Sequence, residues 1–249
     1  MASLLKQTQG AEAKRIQPIL TFKETIMNKQ IALFSALTAS LLVSFAAQAA
    51  DTAELKVKGV IRPSACTPAF TGTNVVDYGT IAAKGLSATA PNVLAEKTIA
   101  FTVTCDAATK VAVRAIDNKA STVVAGLMTA INSNLGDKHA YGLGAAGGKN
   151  IGAYSVRSII GSFTADGATP DIVADAANNG TWAKSTYGRF NADGTGRQSF
   201  AATGATVPGS YKTMSGNLGV TAVLDKGANL PLTQNIDLDG SATIEVQYL

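Results

Sequence analysis

Few residues in this chain have types and spacing that could do chemistry. Cys66 and Cys105 are the only two thiols in 249 residues, and His139 is the only imidazole. A cysteine pair can ligate a metal, supply a nucleophile or oxidise to a bridge. Metal binding would need further soft ligands, and a single histidine does not supply them. Asp137 stands close to His139, but no nucleophile elbow accompanies them, so His139 reads as a solvated loop residue. Gly142-Leu143-Gly144-Ala145-Ala146-Gly147 spells the dinucleotide fingerprint, yet that motif needs a strand before it and a helix after it. A strand-like run follows instead, and the stretch reads as a flexible loop. Gly148-Lys149 is no phosphate loop, because Leu143 holds the first glycine position and Asn150 the Ser/Thr position. Asp237 and Asp239 offer too few oxygens for a cation cage and read as a charged guard on a wet face. Trp182, Tyr187 and Phe190 lie in a polar stretch over 178–191. Exposed there, Trp182 and Tyr187 could stack on a sugar, which makes them a candidate glycan contact. A small satellite core under a long loop is the favoured alternative. No catalytic residue, cofactor site or metal site emerges, and the expectation is a protein that is not an enzyme.

The compartment decides what the cysteines do. Met27-Asn28-Lys29 opens a short basic segment, Ile31 to Phe45 is apolar and uncharged, and Ala47-Gln48-Ala49 gives a small-x-small cleavage pattern. This reads as a secretory signal peptide over 27–49, because the apolar run is shorter than the roughly 20 residues of a membrane span. Residues 1–26 lie upstream and are read as outside the native product, with translation starting at Met27; a long n-region of the signal is the alternative reading. The mature domain then covers 50–249. The chain carries 21 Lys+Arg and 17 Asp+Glu, of which residues 1–49 hold five and two, so the mature part has 16 and 15, a net of +1. Its basic balance is therefore no argument for nucleic acid, and no stable membrane insertion is expected after cleavage. An even cysteine count in an exported chain points to one disulfide, Cys66–Cys105.

The elements that must position these residues are strands. After residue 50 the period is two. Leu55, Val57, Gly59 and Ile61 alternate with Lys56, Lys58 and Val60; Ile99, Phe101 and Val103 share a parity with Cys105; Leu218, Val220, Ala222 and Leu224 form a third set. The last fourteen residues alternate most strictly. Ile236, Leu238, Gly240, Ala242, Ile244, Val246 and Tyr248 fall on one parity, and Asp237, Asp239, Ser241, Thr243, Glu245 and Gln247 on the other. This predicts a long strand with one apolar and one wet face, whose edges each need a partner. Turn residues such as Pro63, Pro68, Asp117-Asn118, Asn179-Gly180 and Pro208-Gly209 punctuate the runs. No mature segment carries a convincing helical stripe. The fold class is all-β, an antiparallel sandwich, with a long Gly/Ala/Ser/Asn-rich middle from about 125 to 213 read as loops with short strands at 151–160.

Val57-Lys58-Gly59-Val60-Ile61-Arg62-Pro63-Ser64-Ala65-Cys66, then Val76-Asp77-Tyr78-Gly79, then Ile99 to Cys105, and the closing Ala242 to Leu249, follow an order that resembles subunits of chaperone–usher fimbriae of Gram-negative bacteria. Tyr141-Gly142-Leu143-Gly144 with Ile151-Gly152-Ala153-Tyr154 is similar to an uncharacterised group of pilin-like exported bacterial proteins. The resemblance implies an immunoglobulin-like sandwich that lacks its last strand and assembles by strand addition. It implies as partners a periplasmic chaperone, an outer-membrane usher and other pilus subunits. It implies a path through the periplasm to a fimbrium at the cell surface, where the subunit supports adhesion. By the same resemblance Ala53, Leu55 and Val57 would donate a strand. Ile236, Leu238, Gly240, Ala242, Ile244 and Val246 would line the acceptor groove, and Tyr248 and Leu249 would be gripped by the chaperone. Two other readings stay open: a monomeric periplasmic protein that completes its own sandwich, and a carbohydrate-binding adhesin domain.

Overall fold

The computed structural model describes residues 53–61 and 64–249; residues 1–26 and the signal segment 27–49 lie outside the described residues. Fourteen strands are described: β1 (Cys66–Phe70), β2 (Asn92–Val93), β3 (Lys97–Thr109), β4 (Val111–Asp117), β5 (Tyr141–Gly142), β6 (Ala145–Ala146), β7 (Lys149–Asn150), β8 (Gly152–Ser158), β9 (Thr164–Ala165), β10 (Asp171–Asp175), β11 (Ala183–Lys184), β12 (Arg197–Ala201), β13 (Tyr211–Leu224) and β14 (Ala242–Tyr248). The larger sheet runs β1-β3-β13-β8-β5, with β2 and β9 also paired to β13, and the smaller runs β11-β10-β12-β4-β14. Every pairing within these two sheets is antiparallel. The chain passes from one sheet to the other at Lys110, between β3 and β4. The all-β sandwich expected from the period-two pattern is therefore what forms.

The core lies between the sheets. Ile99, Phe101, Val103 and Cys105 of β3 point into it, as do Val111, Val113 and Ala115 of β4 and Leu218, Ala222 and Leu224 of β13. The predicted parity holds along β3, and on β13 the predicted set Leu218, Val220, Ala222 and Leu224 faces the main core, although the other face is buried there too. Gly216 sits on the same face of β13, and the Phe163 ring occupies the place its side chain would take, so an added Cβ would collide with the ring. Cys66 and Cys105 are cross-strand partners and form the expected disulfide.

Four expectations are corrected. Residues 55–61 are not a strand: Leu55, Val57, Val60 and Ile61 are exposed, and the first described strand begins at Cys66. A period-two pattern marks a segment fit for a sheet but does not supply a neighbour. The last strand is half the expected length. Residues 236–240 are loop, because the Asp239 amide donates to the Leu143 carbonyl at 2.9 Å and Gly240 lies against the Tyr154 ring. The middle is more than loops. Leu127 and Met128, at the short α-helix α1 (Met128–Ile131), together with Leu135 and Ala140, pack on Ala153 and Val223, building a second small core on the outer face of the larger sheet. The Gly142–Gly147 stretch is no flexible loop: β6 and β7 pair across Gly147-Gly148, both at positive φ, as a two-residue hairpin of the I′ kind demands.

Candidate functional site

The last strand is where the fold leaves something undone. β14 pairs with β4 from Ala242↔Asp117 to Tyr248↔Val111. It stands at the end of the smaller sheet, and among the described residues no strand pairs with its other edge. The register fixes which backbone groups remain. The Leu249 amide donates to the Lys110 carbonyl at 3.1 Å, and the Asn118 amide donates to the Ser241 carbonyl at 3.0 Å. Hydrogen-bonded and non-bonded pairs alternate in an antiparallel ladder, so the odd-numbered residues 241–249 face β4. The amides and carbonyls of Ala242, Ile244, Val246 and Tyr248 therefore point to the open edge.

The same even-numbered residues carry the apolar face. Ala242, Ile244 and Val246 pack on the core yet remain only half-buried, unlike their counterparts on β3, β4 and β13. The odd-numbered face is wet, and Glu245 pairs there with Arg114 directly opposite at 2.7 Å. A one-residue slip would bring Thr243, Glu245 and Gln247 inside, which fixes the register. β1 is the corresponding edge of the larger sheet, and Cys66 and Phe70 are likewise half-buried against the core. The Tyr248 hydroxyl accepts the Cys66 amide at 2.7 Å, clasping the two edges at one end. The sandwich thus has an unfinished seam between β1 and β14.

The other residues singled out by sequence separate. Ile236 and Leu238 pack on the core from the loop before β14, and Gly240 is exposed. Asp239 pairs with Lys119 at 2.6 Å. Leu249 and Tyr248 are both largely exposed at the chain end. Trp182, Tyr187 and Phe190 do not form one cluster: Phe190 is in the main core, Arg197 lies over the Trp182 ring at 5.2 Å, and Arg189 lies over the Tyr187 ring at 4.2 Å. Arg197 is itself held by the fully buried Asp175 at 3.0 Å, so Trp182 rests on a structural ion pair. His139 is buried, not solvated: it belongs to a 3₁₀ turn at the second core, where its Nδ1 accepts the Gly136 amide at 3.3 Å. Burial, with Lys138 and Arg189 nearby, lowers its pKa from the usual imidazole value. Sequence reasoning missed this because the burial comes from a fold of residues 127–140 that has no strand period. No group of three or more His, Cys, Asp or Glu side chains is gathered for a metal among the described residues. No helix among them is long and apolar enough to cross a membrane.

Fold and site define a disulfide-clipped, all-β sandwich in which β14 is an unpaired sheet edge and β1 is the edge it adjoins. Residues 55–155 match the family described as "Protein of unknown function (DUF1120)". Protein GltF of Escherichia coli K12 is 34% identical over 247 residues, covering 88% of this chain and 96% of that protein. The chain belongs to the same bacterial family as GltF. The uncharacterized protein YhcF of the same organism is 27% identical over 230 residues, covering 84% of this chain and 96% of its own length.

Proposed function

We propose that this protein is a structural, pilin-like subunit, exported to the periplasm, that works by accepting a β-strand from another molecule along β14. One observation carries the reading: the unpaired backbone groups of β14 belong to Ala242, Ile244, Val246 and Tyr248, and the first three of these carry its core-packed apolar side chains. An incoming strand would gain main-chain hydrogen bonds and cover half-buried core together, which is the physics of strand addition. Residues 53–61 support the donor half. They are exposed, form no strand, and carry Leu55 and Val57 at 88% and 89% exposure. The disulfide fits an oxidising compartment. By the resemblance to chaperone–usher fimbriae, the first occupant of the edge is a periplasmic chaperone and the later one a neighbouring subunit, with an usher mediating the exchange.

The test separates backbone from side chain. Ile244→Pro removes an outward amide without touching the β4 ladder, since proline is tolerated on the solvent side of an edge strand. Ile244→Ala loses packing but keeps the amide. Co-purified chaperone should fall at least about fivefold further for the proline than for the alanine, the worth of roughly one hydrogen bond. Equal capture by the two variants would contradict the reading.

A second reading has its own observation. The Tyr248–Cys66 clasp closes one end of the seam internally, as a self-sufficient monomer would need. Gel filtration and a thermal melt of chain made without any chaperone discriminate. A soluble monomer with a cooperative transition favours this reading, and aggregation favours strand acceptance.

A further inference from the structure

Away from the seam, the outer face of the larger sheet holds a cavity of about 240 Å³. Its floor is Thr221 of β13 with Ser155 and Arg157 of β8, whose odd-numbered side chains point away from the main core. One wall is the end of α1 with Asn132, and the other is Tyr187 and Arg189. The volume lies below the roughly 300–1,000 Å³ of sites for drug-sized molecules, so the cavity suits a ligand of about one ring.

Its charges are unevenly matched. Arg157 is neutralised by Glu96 through two hydrogen bonds, at 2.7 and 2.8 Å. Glu96 reaches Arg157 across β13 at Gly219, where an added Cβ would stand 2.7 Å from its carboxylate. Arg189 meets no carboxylate among the described residues. Its Nη1 donates to the Asn134 carbonyl at 3.2 Å, and its guanidinium lies over the Tyr187 ring. It is thus held in place by stacking and one backbone bond, with most of its five donors uncommitted. His139, also on the lining, is kept toward its neutral form and does not compete for an anion. Asn132, Ser155 and Thr221 add neutral hydrogen-bonding groups, and half of Tyr187 stays open to solvent.

We propose that this cavity binds a small hydroxylated carboxylate of the uronic-acid class, its carboxylate on Arg189, its hydroxyls on Asn132, Ser155 and Thr221, and its ring edge along Tyr187. The site is independent of the open strand edge. A fixed guanidinium recognises a carboxylate by paired donors, and the neutral polar groups distinguish a sugar acid from a bare anion.

The experiment is a titration of D-glucuronate into the chain purified from a bacterial periplasm, followed by amide chemical shifts. D-Glucose and acetate serve as comparison ligands. Saturable shifts at residues 131–139, 155–157 and 187–189 are expected with a Kd at or below roughly 10 mM, with each comparison ligand at least about tenfold weaker. Arg189→Gln should weaken glucuronate about tenfold or more, Arg189→Lys less, and Tyr187→Ala severalfold with an unchanged melting temperature. Tyr187 is exposed, so that variant reports on binding even where a change at Arg189 disturbs folding. Absence of saturable shifts, equal binding of glucose or acetate, or Tyr187→Ala binding as tightly as wild type would each overturn the site.

Discussion

At the residue scale, two pairs carry much of what can be tested. Cys66 and Cys105 close a loop with a sequence separation of 39. In the chain-entropy account such a bridge contributes on the order of 4 kcal/mol. Cys66→Ser with Cys105→Ser should lower the urea midpoint by a matching amount, and a midpoint unmoved would show the bridge to be incidental. This pairing was legible because only two cysteines follow the signal segment, and its place in the core because Cys105 stands in phase with Ile99, Phe101 and Val103. Asp175 was not legible. Burial raises its carboxyl pKa, but the amides of Gly180 and Asn179 and the Arg197 guanidinium outweigh that, leaving it below the ordinary 3.8. A carboxyl lowered in the folded state stabilises above its unfolded pKa, and that contribution is lost as pH falls through the folded one. Asp175→Asn should therefore cost about 3 kcal/mol at pH 7. Its deficit against wild type should shrink below pH 3.8 in urea unfolding; a deficit independent of pH would refute the assignment. The Asp-Ala-Ala-Asn-Asn-Gly stretch over 175–180 gave no sign that its first carboxylate would be buried, since the Arg197 that meets it lies on another strand.

At the element scale, period two foretold β3 and the facing of β14, each with one core face and one wetter face, and it foretold the main-core face of β13, whose other face is buried as well where Val223 joins the second core. The pattern failed where local chemistry overrode it. Residues 236–240 keep strand parity, yet the Asp239 amide is taken by Leu143 and the Asp239 carboxylate by Lys119. Gly147-Gly148 between Ala145-Ala146 and Lys149-Asn150 carried the hairpin signal, but the glycines invited a loop reading. Gly216 shows what an element asks of one position. On a strand glycine usually weakens pairing, but here it makes room for Phe163 beneath β13. Gly216→Ala should drive the methyl group into a ring that is itself buried in the core, destabilising by about 1–3 kcal/mol in chemical denaturation. A neutral effect would mean the ring moves freely.

At the scale of the whole molecule, the sandwich is unfinished where β1 and β14 adjoin. β1 and β14 are the outer strands of their sheets, both show half-buried apolar side chains, and one hydroxyl–amide bond joins them. Sequence indicated the strand but not which edge β4 would take; that follows only from the register. Long exposed edges invite association unless something covers them, and the proposed function assigns that cover to a second molecule. Hydrogen exchange along β14 measures this directly. In the chain without a partner, the amides of Thr243, Glu245 and Gln247 should be protected by β4, while those of Ala242, Ile244, Val246 and Tyr248 exchange freely. In the complex with a chaperone or a neighbouring subunit, both sets should be protected. Equal protection of both sets in the unpartnered chain would mean that this edge is already satisfied from within, and the account would fail.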